Sequence, residues 1–279
     1  MQERSSIPVP ALEADASAVA VRPSPLPPSH ARTLAELVLH LAKREASSRH
    51  RFTLLGWLWP LARQLAQLGV LIFTFSKVLP LNVPNFPVFV FSGLVAWTWF
   101  AAGVGAATTS VVANRHLVFQ STFPTAVLPV IAVVVPLLDV LMALPVLIAM
   151  LSTHGELSWT LLFLPVIMLV QLILMCGVAW FVAAAHVFFR DVANVVGLVI
   201  LLLFYVTPVF YERSRVGHYQ WVLQINPMTT VIEAWRSVSL NGQLPFRLAF
   251  GVLAGAAALF AALGYLVYRR VQPGFVDEL

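Results

Sequence analysis

Apolar stretches of about 18 residues or more, nearly free of charge, recur along this chain, and no other feature restricts its fold as tightly. At a rise of about 1.5 Å per residue, each is long enough for the roughly 30 Å hydrocarbon layer of a bilayer. Across 279 residues the sequence is 59% hydrophobic and only 10% charged, whereas soluble domains carry about 25% charged residues. So few charges cannot cover a folded soluble surface of this length. Lipid is therefore the expected solvent for most of the chain.

Spans are predicted at about 57–79, 88–111, 126–151, 159–187, 193–210 and 246–268, which makes an all-α polytopic membrane protein with six transmembrane helices. Pro136, Pro145 and Pro165 do not veto helices, because membrane bundles re-satisfy the carbonyls that a proline frees. The first span is unusually polar. Its Arg63 and Lys77 lie near the ends, where they can snorkel, while Gln64 and Gln67 share a face expected against protein or water.

Ahead of it, Thr33 and Glu36 have capping-box spacing, and Leu34, Leu37, Val38 and Leu41 follow a helical period. A short amphipathic helix over 33–46 is expected, lying at the headgroups with Lys43 and Arg44 toward anionic lipid. A helix packed on a soluble partner is the rival reading. Residues 1–30, polar and proline-rich, are expected to form a disordered cytoplasmic tail before a membrane domain over 31–279. No apolar stretch directly follows the basic start, so no cleavable signal peptide is expected.

Between the last two spans, 211–245 is too long for a turn. Asn226 and Pro227 signal a helix start, and Met228, Val231, Ile232 and Trp235 mark one apolar stripe. Glu233 and Arg236 occupy another face with spacing for a pair. A short helix tucked into the outer membrane face is expected, re-entrant because irregular backbone at that depth needs cover.

Six spans put both termini on one side. That side would hold Arg4, Arg22, Arg32, Lys43, Arg44, Arg49, Arg51, Arg115, Arg190, Arg269 and Arg270. The other would hold only Lys77, Arg213, Arg215, Arg236 and Arg247. The positive-inside rule then places both termini in the cytoplasm. The formal charge of +5 is scattered rather than blocked, which argues against nucleic acid as a partner.

Enzymatic chemistry finds little foothold. Neither Lys43 nor Lys77 sits in a P-loop, so ATP hydrolysis by that route is excluded. Asp15, Asp139, Asp191 and Asp277 are too far apart in sequence to suggest a metal-nucleotide pair, and the seven histidines show no ligand spacing. His154 and Glu156 are expected in a short outer loop facing water, and His186 in a local hydrogen bond near Arg190 and Asp191. The single cysteine, Cys176, reads as a small packed hydrophobe. No catalytic, cofactor or metal residue is assigned. Asp139, deep in a span, is open to both a functional and a structural reading, since an ionisable group in lipid is costly.

Four stretches resemble the permease subunits of type-2 ABC exporters that export O-antigen, capsule and teichoic acid. Arg49, Arg51, Leu55, Gly56, Leu58 and Trp59 resemble the approach to the first span. Gly93, Trp97 and Phe100 resemble a Gly-x-x-x-Trp-x-x-Phe run in the second. Asn114, Leu117, Val118, Phe123, Pro124, Leu128 and Pro129 resemble the inner loop that follows. Arg190, Asp191, Pro208, Val209, Tyr211, Asn226, Pro227 and Arg236 resemble the segment from span four to the outer helix. Departures are the proline-rich tail and Phe52 and Thr53, where Tyr and Ser are frequent in the family.

The resemblance implies a homodimer in the bacterial inner membrane, joined to two separate ATPase subunits that carry ATP and Mg, exporting a lipid-linked glycan. It implies a coupling helix near Asn114–Phe123, with Asn114, Arg115, Leu117, Val118 and Phe119 at its centre. Leu117, Val118 and Phe119 would otherwise leave apolar surface without a partner. Arg49, Arg51, Leu55 and Gly56 would form the substrate entrance, although positive-inside topology alone also places arginines there. Asn226, Pro227, Glu233 and Arg236 would belong to an outer gate helix. Trp97, Phe100, Phe204 and Tyr205 are candidate conduit aromatics, able to slide along sugar faces, with belt anchoring as the rival reading, favoured for Trp99 and Tyr211. Export of a drug or small lipid, or membrane-embedded glycan processing, are the alternative functions.

Overall fold

The computed structural model describes residues 43, 56–79, 83–120, 123–153, 155, 157–245 and 248–279, which belong to one compact unit, Val38–Leu279. Expectations for 1–30, for 33–46 apart from helical Lys43, and for Arg49, Arg51, Leu55, His154 and Glu156 fall outside these residues. Every regular element among the described residues is helical.

The main helices are α1 (Trp59–Phe73), α2 (Phe86–Ala113), α3 (Arg115–Val118), α4 (Val127–Val134), α5 (Leu137–Thr153), α6 (Leu164–Phe188) and α7 (Val192–Val206). After them come α8 (Gln220–Ile225), α9 (Pro227–Ser239), α10 (Leu248–Val271) and α11 (Phe275–Glu278). Phe86–Ala113, Val127–Thr153, Trp159–Phe188 and Leu248–Glu278 are long and apolar enough to cross a membrane, and Val192–Val206 is a shorter apolar helix. Helix α1 runs on into a π-helical turn, Thr74–Val78.

Helix α2 is the axis of the bundle. It packs against α1, α4, α5, α6, α7 and α9, and from Val88 to Trp97 nearly every side chain is buried. Its 28 residues reach about 40 Å at helical rise, and so separate two ends of the molecule, one marked by Arg236 and the other by Asn114. Helix α10 lies along α6. The approach is backbone on backbone, because a Cβ on Gly177 would stand 2.7 Å from the amide of Ala261, and one on Gly264 would collide with the Gly177 carbonyl. Small residues at such contacts replace the hydrophobic drive that lipid does not supply.

Two predicted spans change at prolines. The span at 126–151 breaks into α4 and α5 at Val135–Pro136, where the proline has no N–H to continue the ladder. The carbonyl of Val133 beside this break accepts the Trp99 indole N–H at 3.1 Å. Trp99 is thus a buried bridge rather than the belt anchor expected of it. The span at 193–210 ends instead at Val206, two residues before Pro208, so Phe210 and Tyr211 lie in the following turn. Tyr211 donates from Oη to the Val206 carbonyl at 2.6 Å and caps the helix end.

Candidate functional site

At the Arg236 end, Asn226 and Pro227 start α9 as expected. The Asn226 Oδ1 accepts the Met228 N–H at 3.0 Å, and its Nδ2 donates to Thr207 Oγ1 at 2.8 Å. Met228, Val231, Ile232 and Trp235 bury the apolar stripe. The predicted Glu233–Arg236 pair does not form. Glu233 pairs with Arg213 at 3.5 Å on the surface, while Arg236 turns inward because its fork fits three carbonyls that the end of α7 and the start of α2 leave nearby.

Arg236 donates from Nη1 to Pro208 O at 2.7 Å, from Nη2 to Val209 O at 2.6 Å and from Nε to Phe89 O at 3.3 Å. Its guanidinium carbon lies 3.5 Å from the centroid of the Phe89 ring. Burial lowers the pKa to about 9, and the charges of Glu233 and Glu212 oppose that fall, so the group stays cationic at neutral pH. Gly93 makes the room, since a Cβ there would stand 2.9 Å from Nη2 and 3.1 Å from Val209 O. The planar five-donor fork is what lets one side chain join α9, α2 and the α7–α8 connection.

Sequence reading missed Gln171, a fully buried carboxamide in α6. Its Nε2 donates to Ala96 O at 2.8 Å and its Oε1 accepts the Trp235 indole at 3.1 Å, tying α6 to α2 and α9. A lone glutamine in an otherwise apolar span was the available signal, because such a group needs a partner in lipid.

The conduit candidates come together. Ring centroids are 5.5 Å apart for Phe100–Trp97 and 5.8 Å for Trp97–Phe204, and the chain continues through Phe210 to Phe75, in the π-helical turn after α1, at 5.8 Å and 5.0 Å. Within one chain Trp97, Phe100 and Phe204 are buried, and Tyr205 is the exposed member of the four. A cavity of about 270 Å³ beside this row is lined by Arg63, Gln67, Thr98 and Asp139 among others. Gln64 donates to Thr98 Oγ1 at 3.2 Å, so that glutamine faces protein.

At the Asn114 end, Asn114 closes α2 by donating from Nδ2 to Ser110 O at 2.9 Å, and α3 follows as a single turn. Arg115 and Phe119 are exposed, but Val118 is buried and Leu117 half-buried. Both pack in a small core with Val187 of α6, Tyr268 of α10 and Phe275 of α11. The apolar surface expected from all three residues is therefore carried by Phe119. His186 is buried, but its Nδ1 makes no hydrogen bond, contrary to expectation. Of the entrance residues only Gly56 is described, at φ +48, a left-handed conformation that suits glycine at the turn into α1. No group of three or more His, Cys, Asp or Glu among the described residues could hold a metal ion.

Comparison with known proteins places this geometry. The chain is 30% identical over 247 residues to the O-antigen export system permease protein RfbA of Myxococcus xanthus, covering 87% of this chain and 95% of that protein. It is 28% identical over 250 residues to a protein of the same name from Klebsiella pneumoniae, with 88% and 96% covered. The polysialic acid transport protein KpsM of Escherichia coli is 22% identical over 249 residues, with 84% and 93% covered. The pattern of the ABC-2 type transporter matches residues 36–240, most of the chain, and the chain belongs to that family.

Proposed function

We propose that this multi-pass membrane protein is the permease subunit of an ATP-driven exporter that carries a lipid-linked polysaccharide, of the O-antigen or capsule class, out of the cytoplasm. As a transport subunit it performs no covalent chemistry, and ATP hydrolysis belongs to a separate subunit. The observation that carries the substrate class is similarity along nearly the whole length to proteins named for O-antigen and polysialic acid export.

Two copies would enclose one conduit in the inner membrane, with two ATPase subunits holding ATP and Mg on the cytoplasmic side. The helices α1, α2, α4 with α5, α6, α7 and α10 would make six crossings, with both termini inside. The aromatic row from Phe100 through Trp97 and Phe204 joins α2 and α7, reaches the turn after α1 through Phe210 and Phe75, and is extended to the chain's exterior by Tyr205. Ring faces present apolar surface without fixing a hydroxyl pattern, which suits passage of a polymer. The α9 helix, held by Arg236, would close the outer end, and Arg49, Arg51, Leu55 and Gly56 would receive the pyrophosphate head.

Coupling would run through Asn114–Phe119. Phe119 is exposed on a turn whose other apolar residues are anchored against α6, α10 and α11. Movement imposed on that turn reaches three helices through packed side chains, and nucleotide need only favour one arrangement of the ATPase pair to shift the population. A strain lacking this chain should accumulate lipid-linked glycan on the inner leaflet, identified by mass, and the wild-type gene should clear it. A strain that instead exports its glycan normally while losing efflux of a drug would overturn the substrate class.

A further inference from the structure

Where the loop after α3 meets the end of α10 there is a cavity of about 350 Å³ that the transport reading does not use. Arg269, Gln272, Gln120 and Thr125 supply its polar wall, with Val118 of α3 and Phe123 of the loop beside them. Thr125 is buried at 3% exposure. Its hydroxyl faces that of Tyr268, yet neither Thr125 Oγ1 nor Tyr268 Oη completes a hydrogen bond. Of the two, Thr125 lines the cavity, and a buried hydroxyl short of a full hydrogen bond can take a partner from it.

The chemistry of the wall is one-sided. Arg269 offers a planar set of donors suited to phosphate oxygens, the two glutamines offer carboxamide N–H groups, and the threonine an O–H. None of the described residues lining the cavity is acidic. Asp277 and Glu278 lie exposed on α11, outside the lining. A small anion with several acceptor oxygens matches this donor set. The cavity also sits at the end of a 24-residue apolar helix, beside Arg269 and Arg270 in its last turn; with α10 as a crossing, that turn would stand near the lipid headgroups.

We propose that this cavity binds a phosphate group, either the phosphodiester of an anionic lipid or free phosphate. Bound there, phosphate bridges the connection after α3, through Gln120 and Thr125, to the end of α10, through Arg269 and Gln272. It thereby stiffens the segment that the transport reading uses for coupling. The proposal rests on that reading only for this consequence; the site itself stands on its donors.

The test is native mass spectrometry of the full chain in detergent, titrated with phosphatidylglycerol, with diacylglycerol of the same chains, and with inorganic phosphate. Wild type should retain phosphatidylglycerol and not diacylglycerol. Arg269→Gln and Thr125→Val should each weaken that binding about tenfold, as loss of a charge-assisted hydrogen bond does, while Thr125→Ser and Arg270→Gln bind as wild type. Phosphatidylglycerol bound without competition from millimolar phosphate identifies the headgroup as the source; competition, or phosphate bound alone, identifies the free anion. Equal retention of diacylglycerol, or unaltered binding in both weakened variants, overturns the site. ATPase retention read on the same samples separates the two readings, because loss of the ATPase with phosphate binding intact counts against coupling alone.

Discussion

Removing the Arg236 guanidinium leaves the carbonyls of Pro208 and Val209 without their donor, whereas that of Phe89 keeps the Ser92 hydroxyl at 3.0 Å. Each orphaned buried carbonyl costs about 1 to 3 kcal/mol, so with two of them Arg236→Ala should lower stability by about 2 kcal/mol or more. Arg236→Lys should recover only part of it, since an ammonium has no planar fork. Thermal unfolding in detergent, followed by size-exclusion chromatography, measures both. Trp99→Phe removes one bond in the same way, together with part of a buried ring. A phenyl ring replaces the indole, the Val133 carbonyl at the proline break loses its donor, and with the void left at this buried site a loss of about 2 kcal/mol or more is expected by that assay. Arg236 was visible in the sequence as a functional candidate, but its partners were not. Spacing placed Glu233 within reach, and only the end of α7 at Val206 reveals the carbonyls that win the guanidinium instead.

At the scale of elements, the contact between α6 and α10 depends on Gly177 and Gly264. Gly177→Leu would drive a side chain into the backbone at Phe260 and Ala261, where even a Cβ meets atoms at 2.7 Å. Helix α10 should then dock poorly, read as protease cleavage ahead of α10 at low doses that spare wild type. Gly105→Ala is the matched control, with nothing within 4 Å of the added methyl group. Both glycines lie in spans recognised from composition, yet nothing local distinguishes Gly177 from Gly105, because the difference lies in a helix more than 80 residues further along the chain. Helix α9 shows the opposite case. Its cap, its proline and its apolar stripe all lie within ten residues, so its start and its buried face are legible in that short stretch of sequence.

For the whole molecule, the proposed six crossings make a labelling prediction. In a Cys176→Ser background, a cysteine at Gly155 should react with an impermeant maleimide added outside spheroplasts, and one at Arg190 only after the membrane is opened. The reverse pattern would invert the topology. The proposed coupling makes another. Phe119→Ala should reduce ATPase retention on purification at least several-fold while leaving the melting temperature nearly unchanged, because the side chain is exposed and lies outside the core that holds Val118. Val118→Asp should lower both, since Val118 belongs to the core shared with α6, α10 and α11.

Apolar length and the scarcity of charge determined from sequence alone that the chain is helical and built for lipid, because a bilayer leaves few ways to satisfy a backbone. Local spacing likewise determined the start of α9. Tertiary structure alone decided which polar groups meet. Arg236 with the carbonyls around Pro208, Gln171 with Trp235, and Trp99 with Val133 are all pairs set by which helices lie side by side. In an apolar interior each polar group takes whichever partner the packing brings within reach, and helix packing depends on residues far apart in the chain.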